Sequence, residues 1–288
     1  MIRNYLLIAL RNFKRQKLFT LLNMFGLALG LSSAILIFLY VSDELRYDSM
    51  HPNYKNAYRI GNTWNNSDGR SFDNIESPGY FVKYLKDNRT EIEHAVRICN
   101  FGYPVSLNYK AKEKIILTEE IRWAEPSFEQ VLAFDLLKGN KQQMFSNLNS
   151  MVISETGARK LFGSEDPIGK TVTAKHFWGT RDREIDVMVT GVYRDYPSNS
   201  HFKPEFIINV NALRSINGEH FTEFLEGSRF SEFTSSFENY ITLKPGADIR
   251  PVNTKLNDLA AQMIAGDSLA LANGWKMTAF TTKMEDLH

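Results

Sequence analysis

The sequence contains, at residues 19–41, the uncharged stretch FTLLNMFGLALGLSSAILIFLYV. At about 1.5 Å per residue, a helix of this length spans a hydrocarbon core of about 30 Å. Buried helices of soluble proteins rarely run this long without a charge. A cleaved signal peptide would carry small residues before its cleavage site, whereas this stretch ends in bulky Leu39, Tyr40 and Val41. We therefore predict an uncleaved transmembrane helix at residues 19–42.

Basic residues lie on one side of this predicted helix. Residues 1–42 contain no Asp or Glu, and their cations all precede the apolar stretch; they are Arg3, Arg11, Lys14, Arg15 and Lys17. Because basic flanks stay in the cytoplasm, we predict a cytoplasmic N-terminus and a non-cytoplasmic location for residues 43–288. Residues 1–18 combine apolar and basic residues at helical spacing, which predicts an amphipathic helix on the inner leaflet.

One face of the predicted membrane helix carries small and polar residues. Asn23, Gly26, Gly30 and Ser33 recur at intervals of three and four, so they lie on one stripe. Gly26 and Gly30 form a G-x-x-x-G pair, which lets another helix approach closely in lipid. We therefore expect this stripe to pack against further membrane helices that are absent from this sequence.

Composition excludes several classes of protein. Beyond residue 42 the chain carries 33 acidic and 29 basic side chains, and this slightly negative balance gives no electrostatic footprint for nucleic acid. The single cysteine, Cys99, excludes an internal disulfide and a multi-cysteine zinc site. We expect Cys99 to be a small buried core residue.

Two segments of the region 43–288 share a pattern of strand, amphipathic helix and strand. The first lies within 56–110 and the second within 236–288, and we predict that they form one split α/β subdomain. The intervening 111–205 is rich in strand-like runs and is predicted to be a β-rich inserted subdomain. The predicted fold class is α+β, with one N-terminal transmembrane helix and a mixed α/β domain of two β-α-β halves.

Capping signals mark the predicted helices of this region. Ser77, before Pro78, and Ser154 are predicted N-caps, and Gly163 is a predicted helix stop. A further short helix is predicted around Pro126–Phe134.

The stretch from Gly163 to Thr171 is close to a phosphate-binding loop but departs from it. Five residues, not four, separate Gly163 from Gly169, and the residues after Lys170 indicate a strand where the motif needs a helix. We expect no nucleotide site here, and a turn in which Ile168 packs inward.

Catalytic and metal-binding motifs are likewise missing from the sequence. The histidines show no paired metal-ligand spacing, although a site assembled from distant parts of the chain stays open; they are His51, His94, His176, His201, His220 and His288. Asp182, Glu184 and Asp186 alternate as on a solvated strand face. We therefore predict no catalytic, cofactor-binding or metal-binding residue, and no enzymatic activity.

Several spaced motifs resemble the MacB/FtsX-like ABC transporter permeases. Those near the N-terminus are Asn4-Tyr5, Arg11-Asn12, Asn23, Gly26-Leu27-Ala28-Leu29-Gly30, Asp43-Glu44-Leu45 and Tyr47-Asp48. Those further along are Leu161-Phe162-Gly163, Asp166-Pro167-Ile168-Gly169-Lys170, Val189-Thr190-Gly191-Val192, Pro197-Ser198-Asn199-Ser200-His201 and Asp286-Leu287-His288. The resemblance covers nearly the whole chain.

The resemblance implies a function and partners. It implies a fragment of an inner-membrane permease with a periplasmic core domain, further helices beyond this chain, a permease dimer and a partner ATPase in the cytoplasm. Such permeases couple ATP hydrolysis to periplasmic work such as efflux or lipoprotein release. The alternative is a single-span sensor or adaptor with an outer ligand-binding domain, but the 18 or so residues before the helix are too few for a cytoplasmic output domain.

The charge asymmetry predicts the topology directly. An alkaline phosphatase fused after residue 60 should be active, and a fluorescent protein that folds only in the cytoplasm should be dark at the same position, because basic flanks hold the N-terminus inside. Activities of both reporters measured in whole cells check this. The opposite pattern, with a bright fluorescent fusion, would refute the orientation.

Overall fold

The computed structural model describes residues 11, 15–51, 54–88, 91–100, 102–178, 181–217, 219–227 and 236–287. The chain divides into two compact units, Met1–Tyr47 and Asp48–His288, and the second is called the body. One apolar helix near the N-terminus is followed by a domain of helices packed on a mixed sheet. The predicted fold class is therefore confirmed.

Helix α1 runs from Lys17 to Glu44 and contains the predicted span 19–42. Its most apolar part has a mean hydropathy of 2.2, and the helix is long enough to cross a membrane. No residue of α1 is buried by the described part of the chain, as expected of a helix whose surroundings are lipid. The predicted amphipathic helix at 1–18 falls mostly on residues outside the described ones, namely 1–10 and 12–14, and stays a prediction.

The described part of the body contains more strands than helices, and its strands β3 to β8 follow one another without an intervening α-helix. The strands are β1 (Ala57–Asn65), β2 (Ser71–Asn74), β3 (Ile92–Cys99), β4 (Val105–Tyr109), β5 (Lys114–Thr118), β6 (Ile121–Ala124), β7 (Leu136–Gly139), β8 (Ser150–Ser154), β9 (Thr171–Trp178), β10 (Arg181–Tyr193), β11 (Phe206–Asn209), β12 (Phe237–Leu243) and β13 (Lys276–Lys283). The helices are α2 (Gly79–Asp87), α3 (Glu155–Phe162), α4 (Arg214–Asn217), α5 (Glu219–Glu226), α6 (Arg250–Ala265) and α7 (Ser268–Ala272).

The described strands form a single 13-stranded sheet in the order β13-β1-β12-β3-β6-β11-β8-β10-β9-β4-β5, with β2 beside β1 and β7 beside β10. Neighbours are antiparallel except for the parallel pairs β10 with β8 and β11 with β6. Parallel pairs need long crossovers, and here helices and loops supply them. The sheet is therefore mixed, with its parallel pairs in the middle.

The two β-α-β units interleave at one end of the sheet. The strands of the first unit, β1 and β3, are separated by β12, and those of the second, β12 and β13, are separated by β1. Helices α2 and α6 cover the same face and share one core cluster, which includes Phe81, Val82, Leu85, Val252, Leu256 and Leu259. Each unit thus completes the sheet of the other, and the predicted pairing of two β-α-β halves is confirmed.

The position of strand β4 in the sheet differs from the position that its place in the sequence predicted. It falls within 56–110, yet it pairs with β9 and β5 at the opposite end of the sheet, with Leu107 opposite Ile116 and Ala174. Strand position is decided by partners that are distant in sequence, and the local pattern of β4 does not reveal them. Apart from this strand, the division into 56–110, 236–288 and 111–205 stays a prediction, because one continuous sheet runs through all three ranges.

Two of the three predicted capping signals are confirmed. The Ser154 hydroxyl accepts a hydrogen bond from the Gly157 backbone N–H at 3.1 Å, and α3 ends at Gly163, whose φ of 65° suits glycine. The predicted cap at Ser77 is wrong. Its hydroxyl instead donates to the Ile60 carbonyl oxygen at 2.8 Å, so it ties the start of α2 to β1.

The predicted helix at 126–134 is shorter and tighter than expected. Only Pro126–Gln130 is helical, as a 3₁₀ turn. Phe128, Val131 and Leu132 all turn into the core and are fully buried. Their spacing of three and four residues is met by one tight turn followed by irregular chain, so the apolar pattern does not require a longer helix.

Candidate functional site

A cluster of buried polar side chains lies at the start of the body. We call it the Asp48 cluster; it consists of Asp48, His51, Ser200, His201 and Tyr240. These residues come from the turn that follows α1 in sequence, from the loop between β10 and β11, and from β12. A buried polar group is normally hydrogen-bonded, so the hydrogen-bond partners of each side chain in this cluster are considered in turn below.

The backbone at Asp48 is held in an uncommon conformation. Its φ of 55° lies in the left-handed region, which costs most residues about 1–2 kcal/mol and which Asp tolerates better than most. The Asp48 N–H donates to the Asn199 carbonyl oxygen at 2.9 Å, and the His51 N–H donates to the Asp48 carbonyl oxygen at 3.0 Å. These two bonds fix the turn and aim the Asp48 side chain into the body.

The Asp48 carboxylate is fully buried and accepts several hydrogen bonds. Its Oδ1 accepts from the His201 backbone N–H at 2.9 Å and from the Ser200 hydroxyl at 3.1 Å. Its Oδ2 lies 2.6 Å from Nδ1 of His201. Burial raises the pKa of Asp48, but hydrogen bonds from His201 and His51 outweigh burial, and the pKa lies well below its usual range. The group is therefore ionised.

His51 is held neutral by its surroundings. Its Nδ1 accepts a hydrogen bond from the Ala133 backbone N–H at 2.9 Å, so the ring proton has to be on Nε2. Nε2 lies 3.3 Å from the Ser200 hydroxyl oxygen and 3.4 Å from Oδ1 of Asp48. Burial lowers the pKa of His51 and outweighs the opposing hydrogen bond to Asp48. The neutral His51 ring therefore links the backbone at Ala133 to the Asp48 cluster.

His201 connects Asp48 to the central strand β12. Its Nε2 lies 2.9 Å from the Tyr240 hydroxyl oxygen, and that hydroxyl donates to Oε2 of Glu238 at 2.9 Å. Burial raises the pKa of Tyr240 well above its usual value, so the phenol keeps its proton. His201 thus links the ionised Asp48 carboxylate, through Nδ1, to the Tyr240 hydroxyl, through Nε2, and the hydrogen-bonded chain continues to Glu238.

The cluster could in principle hold a metal ion. Asp48, His51 and His201 offer ligand atoms that all lie within 4.8 Å of one another. A metal on Nε2 of His51 would require the proton on Nδ1, where it would face the N–H of Ala133. The hydrogen bonds therefore do not fit a three-ligand metal site, and they fit a closed hydrogen-bonded junction.

Ser200, His51 and Asp48 also share the residue types of a hydrolytic triad. Ser200 and Asp48 are 0% exposed and His51 is 2% exposed, so no substrate can reach the hydroxyl. The Ser200 hydroxyl donates to the Asp48 carboxylate at 3.1 Å, with the Phe202 carbonyl oxygen at the same distance, so its proton is not directed at a histidine base. A nucleophile needs an exposed oxygen beside a free base, and neither condition is met here.

The residues predicted to pack in the membrane all lie on α1. Asn23, Gly26, Gly30 and Ser33 are exposed on the helix surface, and a Cβ added at either glycine would meet nothing within 4 Å. Ser33 donates its hydroxyl to the Leu29 carbonyl oxygen at 2.9 Å. The stripe is therefore available on α1, and its contact with another helix stays a prediction.

Three of the five orientation residues are described. Arg11, Arg15 and Lys17 are exposed, whereas Arg3 and Lys14 lie outside the described residues. Lys17 is the first residue of α1, and the orientation of the helix stays a prediction.

The loop close to a phosphate-binding motif is occupied by its own ion pair. The Lys170 ammonium donates to Glu165 at 2.7 Å and to the Tyr109 hydroxyl at 3.0 Å, and the pKa of Glu165 is lowered to about 2 by hydrogen bonds from Lys170 and Lys112. The expectation that Ile168 packs inward is wrong, because its side chain is 37% exposed. The neighbouring Pro167 is the buried apolar residue of this turn, and the Lys170–Glu165 ion pair holds it from the polar side.

The alternating acidic residues of β10 lie on a solvated face as far as they are described. Glu184 and Asp186 are exposed, and Asp186 accepts a hydrogen bond from the Thr173 hydroxyl at 2.5 Å. The Asp182 side chain lies outside the described residues.

The sequence did not predict the Asp48 cluster. His51 and His201 lie far apart in the chain, so no spacing rule connects them. The available signal was the resemblance of Tyr47-Asp48 and of Pro197-Ser198-Asn199-Ser200-His201 to a known family, since these two motifs are the segments that meet.

The chain is similar to known proteins over most of its length. The family model described as the MacB-like periplasmic core domain matches residues 20–259. A crystal structure of a domain of a protein described as a permease from Porphyromonas gingivalis has 17% sequence identity and a TM-score of 0.62, and the match covers 81% of this chain and 91% of that chain. That likeness shows the fold.

Two further crystal structures match with lower scores. The periplasmic region of MacB from Actinobacillus actinomycetemcomitans has 14% identity and a TM-score of 0.44, covering 80% of this chain and 89% of that chain. The extracellular domain of the noncanonical ABC-type transporter YknZ from Gram-positive bacteria has 17% identity and a TM-score of 0.46, covering 77% of this chain and 100% of that chain. No curated protein sequence matches the chain.

Replacing the buried carboxylate should destabilise the body strongly. Asp48→Asn leaves the donors of His201 facing an amide, so we expect the free energy of unfolding to fall by about 3–5 kcal/mol. The matched control is Asp73→Asn, because Asp73 also accepts a hydroxyl, from Thr63 at 2.7 Å, but at an exposed site. The control should change stability by about 0.5 kcal/mol at most. Denaturant unfolding of the purified chain in detergent measures both, and equal effects would contradict the role of the cluster.

Proposed function

This chain belongs to the MacB-like periplasmic core domain family, and on that premise we propose that it is part of the permease subunit of an ABC transporter. The permease couples ATP hydrolysis by a cytoplasmic partner ATPase to conformational work outside the cytoplasm, such as efflux or release of a lipoprotein or other substrate. The observation that carries this proposal is the family match over residues 20–259, which spans α1 and most of the body.

The location and assembly of the chain follow from the same proposal. It is anchored in the bacterial inner membrane by α1, with the N-terminus in the cytoplasm and the body in the periplasm. The uncharged stretch 19–41 of α1 and its stripe of small residues support contacts with lipid, with further permease helices and with a second permease subunit. The cations before α1 support the orientation.

The chain itself is proposed to be no enzyme. The Gly163–Lys170 loop carries an internal ion pair where a phosphate-binding loop would present a free lysine, and the Ser200 hydroxyl is buried. These contacts support a complex in which the partner hydrolyses ATP and the body changes conformation without catalysing a reaction.

Recovery of the complex tests the proposed function. The complete permease, tagged and purified in mild detergent from its native membrane, should bring down an ABC ATPase in defined stoichiometry and show ATP turnover. The control replaces residues 1–44 with an unrelated single-span anchor, which keeps the body in the membrane but removes α1 and its packing stripe.

The control should lose the ATPase, since helix packing in lipid depends on close approach of small residues. Purification of the intact protein without any ATPase, but with a signalling protein, would favour a membrane-anchored sensor and contradict the proposal.

A further inference from the structure

Strand β13 lies at one end of the sheet and has a strand neighbour on one side only. It pairs with β1 along its whole length, from Lys276 opposite Asn65 to Lys283 opposite Tyr58. Within the described residues, no strand pairs with its other side, which we call the outer edge of β13. The backbone groups of such an edge can bind another strand, so proteins protect edges with charges, proline, bulges or covering elements. The elements beside β13 therefore decide whether its outer edge is open.

The side chain of Asn257, on α6, takes the place of a neighbouring strand at the centre of this edge. Its Oδ1 accepts a hydrogen bond from the Ala279 N–H at 3.0 Å, and its Nδ2 donates to the Ala279 carbonyl oxygen at 2.9 Å. In an antiparallel sheet, a hydrogen-bonded pair of residues exchanges the same two bonds. The carboxamide therefore binds Ala279 as the backbone of a further strand would.

Every polar atom of the Asn257 side chain is used. Its Nδ2 also donates to the Asn253 carbonyl oxygen, one turn earlier in α6, at 2.9 Å. One N–H of the amide is thus held by its own helix, while the other N–H and Oδ1 are held by β13. Ala279 is buried, and a buried backbone N–H or C=O that is left unpaired costs free energy. Asn257 therefore satisfies backbone groups that no described strand reaches.

Two further contacts lie on either side of this one. Toward the start of β13, the Trp275 N–H donates to the Ala270 carbonyl oxygen of α7 at 2.9 Å. Toward the end of β13, the Thr281 hydroxyl donates to Oδ1 of Asn253 at 2.9 Å. Asn253 thus contacts a side chain of β13, whereas Asn257 contacts the backbone of that strand.

Charges protect the ends of β13 and leave its centre without charge. Lys276 and Lys283 are its first and last residues, and residues 277–282 between them contain no charge and no proline. Those residues are apolar or β-branched, a composition that suits strand pairing. The centre of the edge is therefore the part that needs protection from another strand, and Asn257 lies there.

We propose that Asn257 guards the outer edge of β13, because its carboxamide occupies the hydrogen bonds through which the centre of β13 would otherwise accept a further strand. The guard keeps the body from joining a neighbouring molecule edge to edge. A second copy of the chain serves as the probe, since every copy carries the same edge. The inference concerns the body alone and does not depend on the proposed permease.

Cross-linking through a surface cysteine tests the guard. Cys99 is the single native cysteine and is fully buried, so Thr278→Cys supplies the one reachable thiol, on an exposed side chain of β13. With a short bis-maleimide acting on the full chain in membranes, Thr278→Cys alone should give background cross-linking. Adding Asn257→Ala should raise the yield of cross-linked dimer about fivefold or more, because each hydrogen bond made to a new strand contributes about that factor.

Two control variants separate the backbone contact from the rest of α6. Asn253→Ala removes the side chain one turn earlier, which bonds only to a hydroxyl of β13, and should leave the yield at background. Asn257→Asp keeps an acceptor for the Ala279 N–H and places a charge at the edge, so its yield should also stay at background. Equal yields for Asn257→Ala and Asn253→Ala would overturn the inference.

A proline at position 279 identifies the edge that is used. The Ala279 N–H points to Asn257 and not to β1, so Ala279→Pro removes no hydrogen bond between β13 and β1. In the Asn257→Ala background this change should return the cross-linking yield to background, because the new strand loses its donor. A yield that ignores the proline would place the association elsewhere and overturn the inference.

Hydrogen exchange followed by mass spectrometry distinguishes a guard from a contact that only stabilises the strand. The Ala279 N–H should be protected in the parent chain in detergent and should exchange about tenfold faster in Asn257→Ala. Faster exchange without a gain in cross-linking would show that the carboxamide only stabilises β13, and would overturn the guard. Asn257→Asp should keep most of the protection, so an unprotected Ala279 in Asn257→Asp or in the parent would overturn the inference even where Asn257→Ala fails to fold.

Discussion

A carboxylate that is removed from water has to be matched by hydrogen-bond donors, and Asp48 obtains them from separate parts of the chain. An isolated buried charge costs several kcal/mol, so the fold tolerates Asp48 only while those donors stay in place. They come from His51 in the same turn and from Ser200 and His201 in the loop before β11. Through His201 the charge also reaches Tyr240 on β12. The start of the body is thereby bound to its central strands.

The sheet links the Asp48 cluster to the rest of the body. Strand β12 lies between β1 and β3, so it belongs to the interleaved β-α-β units. A buried ion pair, Arg97 with Glu125, joins β3 to the segment after β6, and Lys86 of α2 also donates to Glu125 at 3.0 Å. The turn at Asp48 is therefore continuous with the core.

Much of this architecture follows from local sequence, and the rest depends on distant partners. The helix α1 could be predicted because a long uncharged stretch has few alternatives, and the cap at Ser154 because it needs contacts within three residues only. The role of Ser77 could not, because its hydroxyl bonds to Ile60 on another strand. The place of β4 in the sheet and the Asp48 cluster were missed for the same reason. Their energies come from tertiary pairing, which a periodic pattern does not encode.

The central claim is that Asp48 and His201 form an energetically coupled hydrogen-bonded pair. The most direct measurement is a double-mutant cycle on the free energy of unfolding, with Asp48→Asn, His201→Gln and the double variant compared with the parent chain in one detergent. We predict a coupling energy of about 1–3 kcal/mol, because both side chains belong to one buried hydrogen-bond network. Effects of the two substitutions that add to within about 0.5 kcal/mol would contradict the account, since independent sites behave in that way.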